Sequence, residues 1–241
     1  GAQGLGLSMA RAFAARGAKL ALIDINNDVL ERAKAELTEA GASVATFTTN
    51  VADEESVTQT FSAIIDTFGQ LNGLINNAGI TRDGLMLKVK DGQVVDKMSL
   101  AQWQMVIDVN LTGVFLCGRE AAARMIESGS EGVIVNISSI SKAGNFGQTN
   151  YPATKAGVAA MAVTWAKELA RYGIRAGAIA PGFIATEMVM GMKPEALEKM
   201  AAGIPLKRLG QPDEIAQMAI TIFENDYISG RVFEVDGGLR L

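Results

Sequence analysis

The chain has 241 residues, 49% of them hydrophobic, and a formal net charge of −4. That length can bury a full core, as one large domain or two small ones, and the acidic balance, with no basic block, argues against nucleic acid or an anionic membrane as a partner. With no histidine and a single cysteine, Cys117, the sequence excludes Ser-His-Asp and Cys-His catalysis, histidine-held zinc and an internal disulfide framework. No metal site is expected, and any chemistry must run on Tyr, Lys, Ser, Asn or carboxylates. The apolar runs are of strand length, far short of the ~18 residues of a membrane span. No secretory signal is legible, so a reducing, cytoplasmic setting is expected.

The first stretch, GAQGLG (1–6), is a glycine turn feeding a helix over 4–16. Closely spaced glycines let a backbone approach a pyrophosphate at a helix N-terminus, although Met9 breaks the G-x-G-x-x-G spacing and such turns also serve packing alone. A dinucleotide fold needs a strand ahead of this turn. None is present, so the expectation is that the first strand is missing from this sequence. The strand at 18–24 ends in Asp24, where an acid can accept from ribose hydroxyls and repel a 2′-phosphate; capping the helix at 26–40 is the other use for it. Strands at 42–48 and 71–76, with a helix at 54–68 between them, lead into NNAGI and a long irregular stretch, 79–98. A helix over 99–127 places Cys117 in the core.

The strand at 132–138 ends at Ser138, thirteen residues before Tyr151 of NYPATKAG. Pro152 fits the first turn of a helix over 151–171. Tyr151 and Lys155, at i and i+4, then share a face. A nearby cation favours the phenolate, so Tyr151 suits general acid or base work, although the pair alone also fits a surface tyrosine beside a solvated lysine. A strand at 174–180 opens into PGFIAT and a second irregular stretch, 182–211, whose Met-rich FIATEMVMGM suits a lid over an apolar substrate. A helix at 212–223 and a strand at 231–236 close the pattern. Alternating strands and helices without a linker predict an α/β fold, a doubly wound parallel sheet of Rossmann type in one domain over 1–241. Ligands in such sheets sit beyond the carboxyl ends of the strands, so Ser138 and Tyr151 can meet over one crevice and donate to a carbonyl oxygen as it gains charge.

Taken in order, the glycine turn, NNAG (76–79), VNLTG (109–113), Ser138, Tyr-x-x-x-Lys and PGFIAT resemble the short-chain dehydrogenase/reductase family, most of all its 3-oxoacyl-[acyl-carrier-protein] reductases, over essentially the whole chain. The resemblance implies hydride exchange with a nicotinamide dinucleotide. Tyr151 is implied as general acid or base. Lys155 is implied to lower its pKa and bind the nicotinamide ribose, Ser138 to orient the carbonyl, and Asn110 to keep a water in a proton relay. The cofactor would lie along Gln3, Gly4, Leu5, Gly6, Asp24, Ile25, Asn50, Val51, Asn77, Ala78, Gly79, Pro181, Gly182, Ile184 and Thr186. Asn145 and Gln148 would edge the substrate pocket, and a homotetramer paired through helices 99–127 and 151–171 is implied.

The chain departs from the family in several places. Asn50 stands where aspartate is usual. Asp24 and Gln3 look suited to NAD(H) over NADP(H), whereas many of these reductases use NADPH. The stretch 88–103 is long. The basic residues that dock an acyl carrier protein fall at Gly129 and Tyr172, with Arg171 adjacent. A coenzyme A thioester is thus as open a substrate as a carrier-bound one. Dehydrogenation of another secondary alcohol and a non-catalytic dinucleotide sensor or scaffold are the rival functions.

Overall fold

The computed structural model describes residues 1–240, apart from the side chain of Met188. Helix α1 (Gly4–Ala14) is followed by β1 (Leu20–Asp24), α2 (Asn27–Glu39), β2 (Val44–Thr48), α3 (Glu54–Phe68) and β3 (Gly73–Asn76). A hairpin, β4 (Leu87–Lys90) with β5 (Gln93–Lys97), precedes α4 (Leu100–Ile107) and α5 (Gly113–Glu127). The remaining elements are β6 (Gly132–Ile137), α6 (Asn150–Glu168), β7 (Ile174–Pro181), α7 (Glu187–Met190), α8 (Pro194–Gly203), α9 (Pro212–Glu224) and β8 (Val232–Val235).

Strands β3-β6-β7-β8 form one parallel sheet and β1-β2 a second parallel piece. Each of β6's two faces feeds a different layer, as a strand's period of two requires. Val133, Val135 and Ile137 pack with Met9, Ile215, Ala216 and Ile222 of α1 and α9. Ile134 packs instead with Val57, Phe61, Leu116, Cys117 and Met125 of α3 and α5. Sequence and structure agree on this doubly wound arrangement. The facing edges of β1 and β3 both border a cavity of about 560 Å³, and neither strand has a partner on that side among the described residues. This gap stands where the sequence pattern calls for a first strand, which the described residues do not supply.

Three expectations need correction. The stretch 79–98 is not irregular: it holds the antiparallel β4–β5 hairpin, closed by Asp91 and Gly92 at φ +51° and +75°. Positive φ at both central residues is the signature of a type I′ turn, which Asp-Gly supports. The stretch 182–211 carries α7 and α8. The helix expected over 99–127 is broken at Asp108–Thr112, where a π turn separates α4 from α5. Among the described residues no helix is long and apolar enough to cross a membrane.

Candidate active site

The parallel strands end on one side, and the loops leaving them carry nearly all the residues singled out above. At the glycine turn, Gly4 has φ +53° and Gln3 heads α1 without a side-chain cap bond. The first-turn N–H groups around Leu5 and Gly6 therefore lack a capping side chain. A Cβ on Gly6 would come within 2.7 Å of Gly1 O and 2.9 Å of Asn77 Nδ2, so only glycine lets these two loops meet. Asp24 does not cap α2. Asn26 does, accepting from Asp28 N at 2.9 Å and Val29 N at 3.4 Å. The Asp24 carboxylate turns instead to the α1 entrance, 2.9 Å from Gly1 N and 3.3 Å from Ala2 N. Ile25 beside it is exposed. Asn50 accepts from Ala52 N at 3.1 Å, bending the chain so that Val51 packs against Gly113. Asn77, Ala78 and Gly79 leave β3. Pro181 ends β7, and Gly182 sits tightly against Asp236.

Tyr151 and Lys155 lie on one face of the first turns of α6, with Pro152 in the opening turn as expected. Lys155 is buried, and its Nζ lies 5.5 Å from the Tyr151 ring centre. It donates to Ile137 O at 2.8 Å, which leaves two of its three N–H donors without a partner among the described residues. Burial pushes the amine down to about 8. Burial also holds the Tyr151 phenol above its ordinary value; a hydrogen bond with Ser139 pulls the other way, and the charge of Asp83 adds to the rise. The expected lowering of Tyr151 by Lys155 is absent here: burial raises the phenol, and Lys155 is not among the groups that pull it down.

The structure moves the serine beside Tyr151 by one position. Ser138 is buried, and its Oγ donates to Lys155 O at 2.7 Å. It shares the β6 face of Asn136, whose amide donates to Val158 O at 3.1 Å. Both side chains point into α6. Ser139, which the thirteen-residue spacing passed over, is close enough to pull the Tyr151 phenol down, and its Oγ accepts from Ser141 N at 3.1 Å. Asn110, fully buried in the π turn, spends its amide on one residue: Oδ1 accepts from Ile80 N and Nδ2 donates to Ile80 O, both at 2.8 Å. Its side chain fixes the loop after β3 with one donor and one acceptor. A Cβ on Gly79 would lie 3.5 Å from both Asn110 Oδ1 and Lys155 Nζ, so the three groups converge.

Asn145 and Gln148 bond to one another: Asn145 Nδ2 donates to Gln148 Oε1 at 2.9 Å. The stretch 182–211 is closed at its neck, where Ile184 bridges Gly210 and Ala185 N donates to Gly210 O at 2.8 Å. Ile184 is buried and Thr186 leads into α7. Cys117 is a core residue with its thiol pushed up to about 12 by burial and the nearby Glu120 charge, and so it is inert.

A helix N-terminus without a side-chain cap on a glycine turn, a carboxylate at the end of β1 and a buried ammonium with spare donors suit a pyrophosphate and two riboses. The fold and site define a nicotinamide-dinucleotide-dependent oxidoreductase. A family model described as enoyl-(acyl carrier protein) reductase matches residues 1–240, and the chain belongs to this family of short-chain dehydrogenases/reductases. The 3-oxoacyl-[acyl-carrier-protein] reductase of Thermotoga maritima is 39% identical over 99% of this chain and 94% of that protein. A putative gluconate dehydrogenase from Agrobacterium tumefaciens superposes with a TM-score of 0.88 at 33% identity, covering 98% of this chain and 92% of that one. The 3-oxoacyl-[acyl-carrier protein] reductase of Brucella melitensis gives 0.87 at 34% identity, covering 100% and 88%.

The buried amine makes stability depend on pH. Below pH 8 Lys155 is charged in both the folded and unfolded states, and the folded state bears the full burial penalty. Between about 8 and 10.5 the unfolded chain holds the proton that the folded one has lost, so stability rises with pH. Urea denaturation at pH 7.5 and pH 10.5 is expected to show wild type gaining on Lys155→Met by up to roughly 3 kcal/mol. A pH-independent gap would mean that the amine is not desolvated.

Proposed function

We propose that the protein reduces 3-oxoacyl thioesters to 3-hydroxyacyl thioesters, with NADH preferred over NADPH. The observation that carries the chemistry is Tyr151 on the same face of α6 as buried Lys155, whose Nζ lies 5.5 Å from its ring centre, with Ser139 close enough to act on the phenol. When bound, the dinucleotide supplies hydride. Tyr151, held protonated at neutral pH by burial, gives its proton to the carbonyl oxygen. Ser139 donates a second hydrogen bond to that oxygen as charge grows on it, and Lys155 binds ribose hydroxyls through its spare N–H groups. The similarity to proteins named 3-oxoacyl reductases supports the substrate class, and the Met-rich lid over 182–211 supports an apolar acyl chain.

Both coenzyme A and an acyl carrier protein fit as the thiol. Arg171 is stacked over the Tyr172 ring at 4.8 Å, close to where a carrier would dock. The similarity to a putative gluconate dehydrogenase favours oxidation of another secondary alcohol as the second reading. Turnover of acetoacetyl-CoA but not gluconate supports the first, and the reverse overturns it. A homotetramer is part of the proposal, supported by the exposed Leu100, Met105, Phe115 and Ile126 along α4 and α5. Light scattering at micromolar concentration is expected to give four chains; a monomer would refute this.

Ser139→Ala is expected to lower kcat by about 10²-fold with NADH binding unchanged. Ser138→Ala is expected instead to cost about 0.5–1.5 kcal/mol of stability, through the lost hydrogen bond to Lys155 O. If only Ser138→Ala lost turnover, the assignment would be wrong.

A carboxylate at Asp24 accepts from a 2′-hydroxyl but repels a 2′-phosphate. At ~4 Å and an effective dielectric near 20 the repulsion is about 4 kcal/mol, reduced further by salt. The expected preference in kcat/KM is roughly ten- to a hundredfold for NADH, and Asp24→Ser with Ile25→Arg should turn it toward NADPH. Wild-type preference for NADPH would refute the role of Asp24.

A further inference from the structure

Asp83 lies on the segment between β3 and the hairpin, which the chain fastens to the entrance of α6. Gly84 N donates to Gly147 O at 2.7 Å, Asn150 Nδ2 donates to Arg82 O at 3.0 Å, and Gly84 bridges Gln148. The carboxylate itself accepts from Gln148 Nε2 at 2.9 Å, and Gln148 in turn accepts from Asn145. A file of three polar side chains thus ends on the Asp83 carboxylate, beside the first turn of α6 that carries Tyr151. Among the described residues no lysine or arginine lies within ion-pair distance of Asp83. Neighbouring Arg82 donates to Thr81 O instead. The charge is close enough to Tyr151 to raise its pKa.

A 3-oxoacyl group with its ketone oxygen at Tyr151 carries its C1 only two bonds from the reacting carbon. In a thioester C1 is uncharged; in the free acid it bears a carboxylate. We propose that Asp83, fixed by Gln148, is a specificity-determining residue that rejects free 3-oxo acids in favour of their uncharged esters and thioesters. This rests on the reading of the site as a 3-oxoacyl reductase. Asp83 is exposed, so solvent and salt screen the repulsion, and the discrimination is modest, about five- to tenfold.

The test is competition against acetoacetyl-CoA reduction. Ki is measured for acetoacetate and for ethyl acetoacetate, its uncharged ester, in wild type, Asp83→Asn and Asp83→Glu. Asparagine keeps the shape and a hydrogen-bonding partner for Gln148 while removing the charge. In Asp83→Asn, acetoacetate is expected to gain about five- to tenfold relative to the ester, with Asp83→Glu restoring the wild-type ratio. A ratio unchanged in Asp83→Asn, including weaker binding of both compounds by the same factor, would overturn the proposal and leave Asp83 a loop-holding residue. Wild type without acetoacetyl-CoA turnover would instead overturn the reading on which it rests, and the proposal with it.

Discussion

Everything at the site hangs from a seam of three buried hydrogen bonds between β6 and α6. Asn136 reaches Val158 O, Ser138 reaches Lys155 O, and Lys155 reaches back to Ile137 O. Each joins a buried side-chain donor to a backbone carbonyl, so helix and strand cannot slide without leaving a buried donor unpaired, at about 1–3 kcal/mol each. Asn76 extends the seam into β3 by donating to Asn136 Oδ1 at 2.9 Å. On the far side Asn150 ties α6 to Arg82 O. The first turn of α6, and with it Tyr151, is thereby held over the carboxyl edge of the sheet.

The seam also explains the electrostatic state of Tyr151 and Lys155. Lys155 is drawn under the helix to reach Ile137 O, and that depth costs it much of its affinity for the proton. Tyr151, partly covered by the same packing, resists ionising. The two groups do not form a phenolate–ammonium pair in this structure. They form a neutral acid beside an amine that titrates near pH 8, and a proton donor is what carbonyl reduction requires.

Strand and helix positions were legible because each strand shows an apolar run and each helix a 3.6-residue period. The gathering of Asp24, Asn77, Ser138 and Tyr151 on one side followed from parallel topology alone. What misled was counting. A thirteen-residue spacing selects Ser138, but spacing says nothing about which way a side chain points. Alternation along Val133 to Ile137 puts Ser138 on the α6 side with Asn136, where its hydroxyl is spent on Lys155 O. The hairpin was missed because Asp91-Gly92 was read as part of a loop, although flanking Val89 and Val94, which pair across the strands, carry a two-residue period. The role of Asp83 had no sequence signal at all, since it arises from contacts with residues 65 positions away.

Size and polarity point to different places in this molecule. The hollow of about 560 Å³ between β1 and β3 includes Met9, Phe13, Phe61, Ile64, Phe68 and Phe223 in its wall. These belong to the apolar layers that flank a sheet, and the remaining wall is strand edge. A space of that kind excludes water but offers no donors that converge on a reacting atom. The groups able to move a proton lie beyond the ends of the strands, where Tyr151 and Lys155 share a face of α6 and Lys155 Nζ meets Asn110 beside Gly79. Convergent polar chemistry, rather than volume, therefore locates the site, and the sheet sets that position by ending its parallel strands on one common edge.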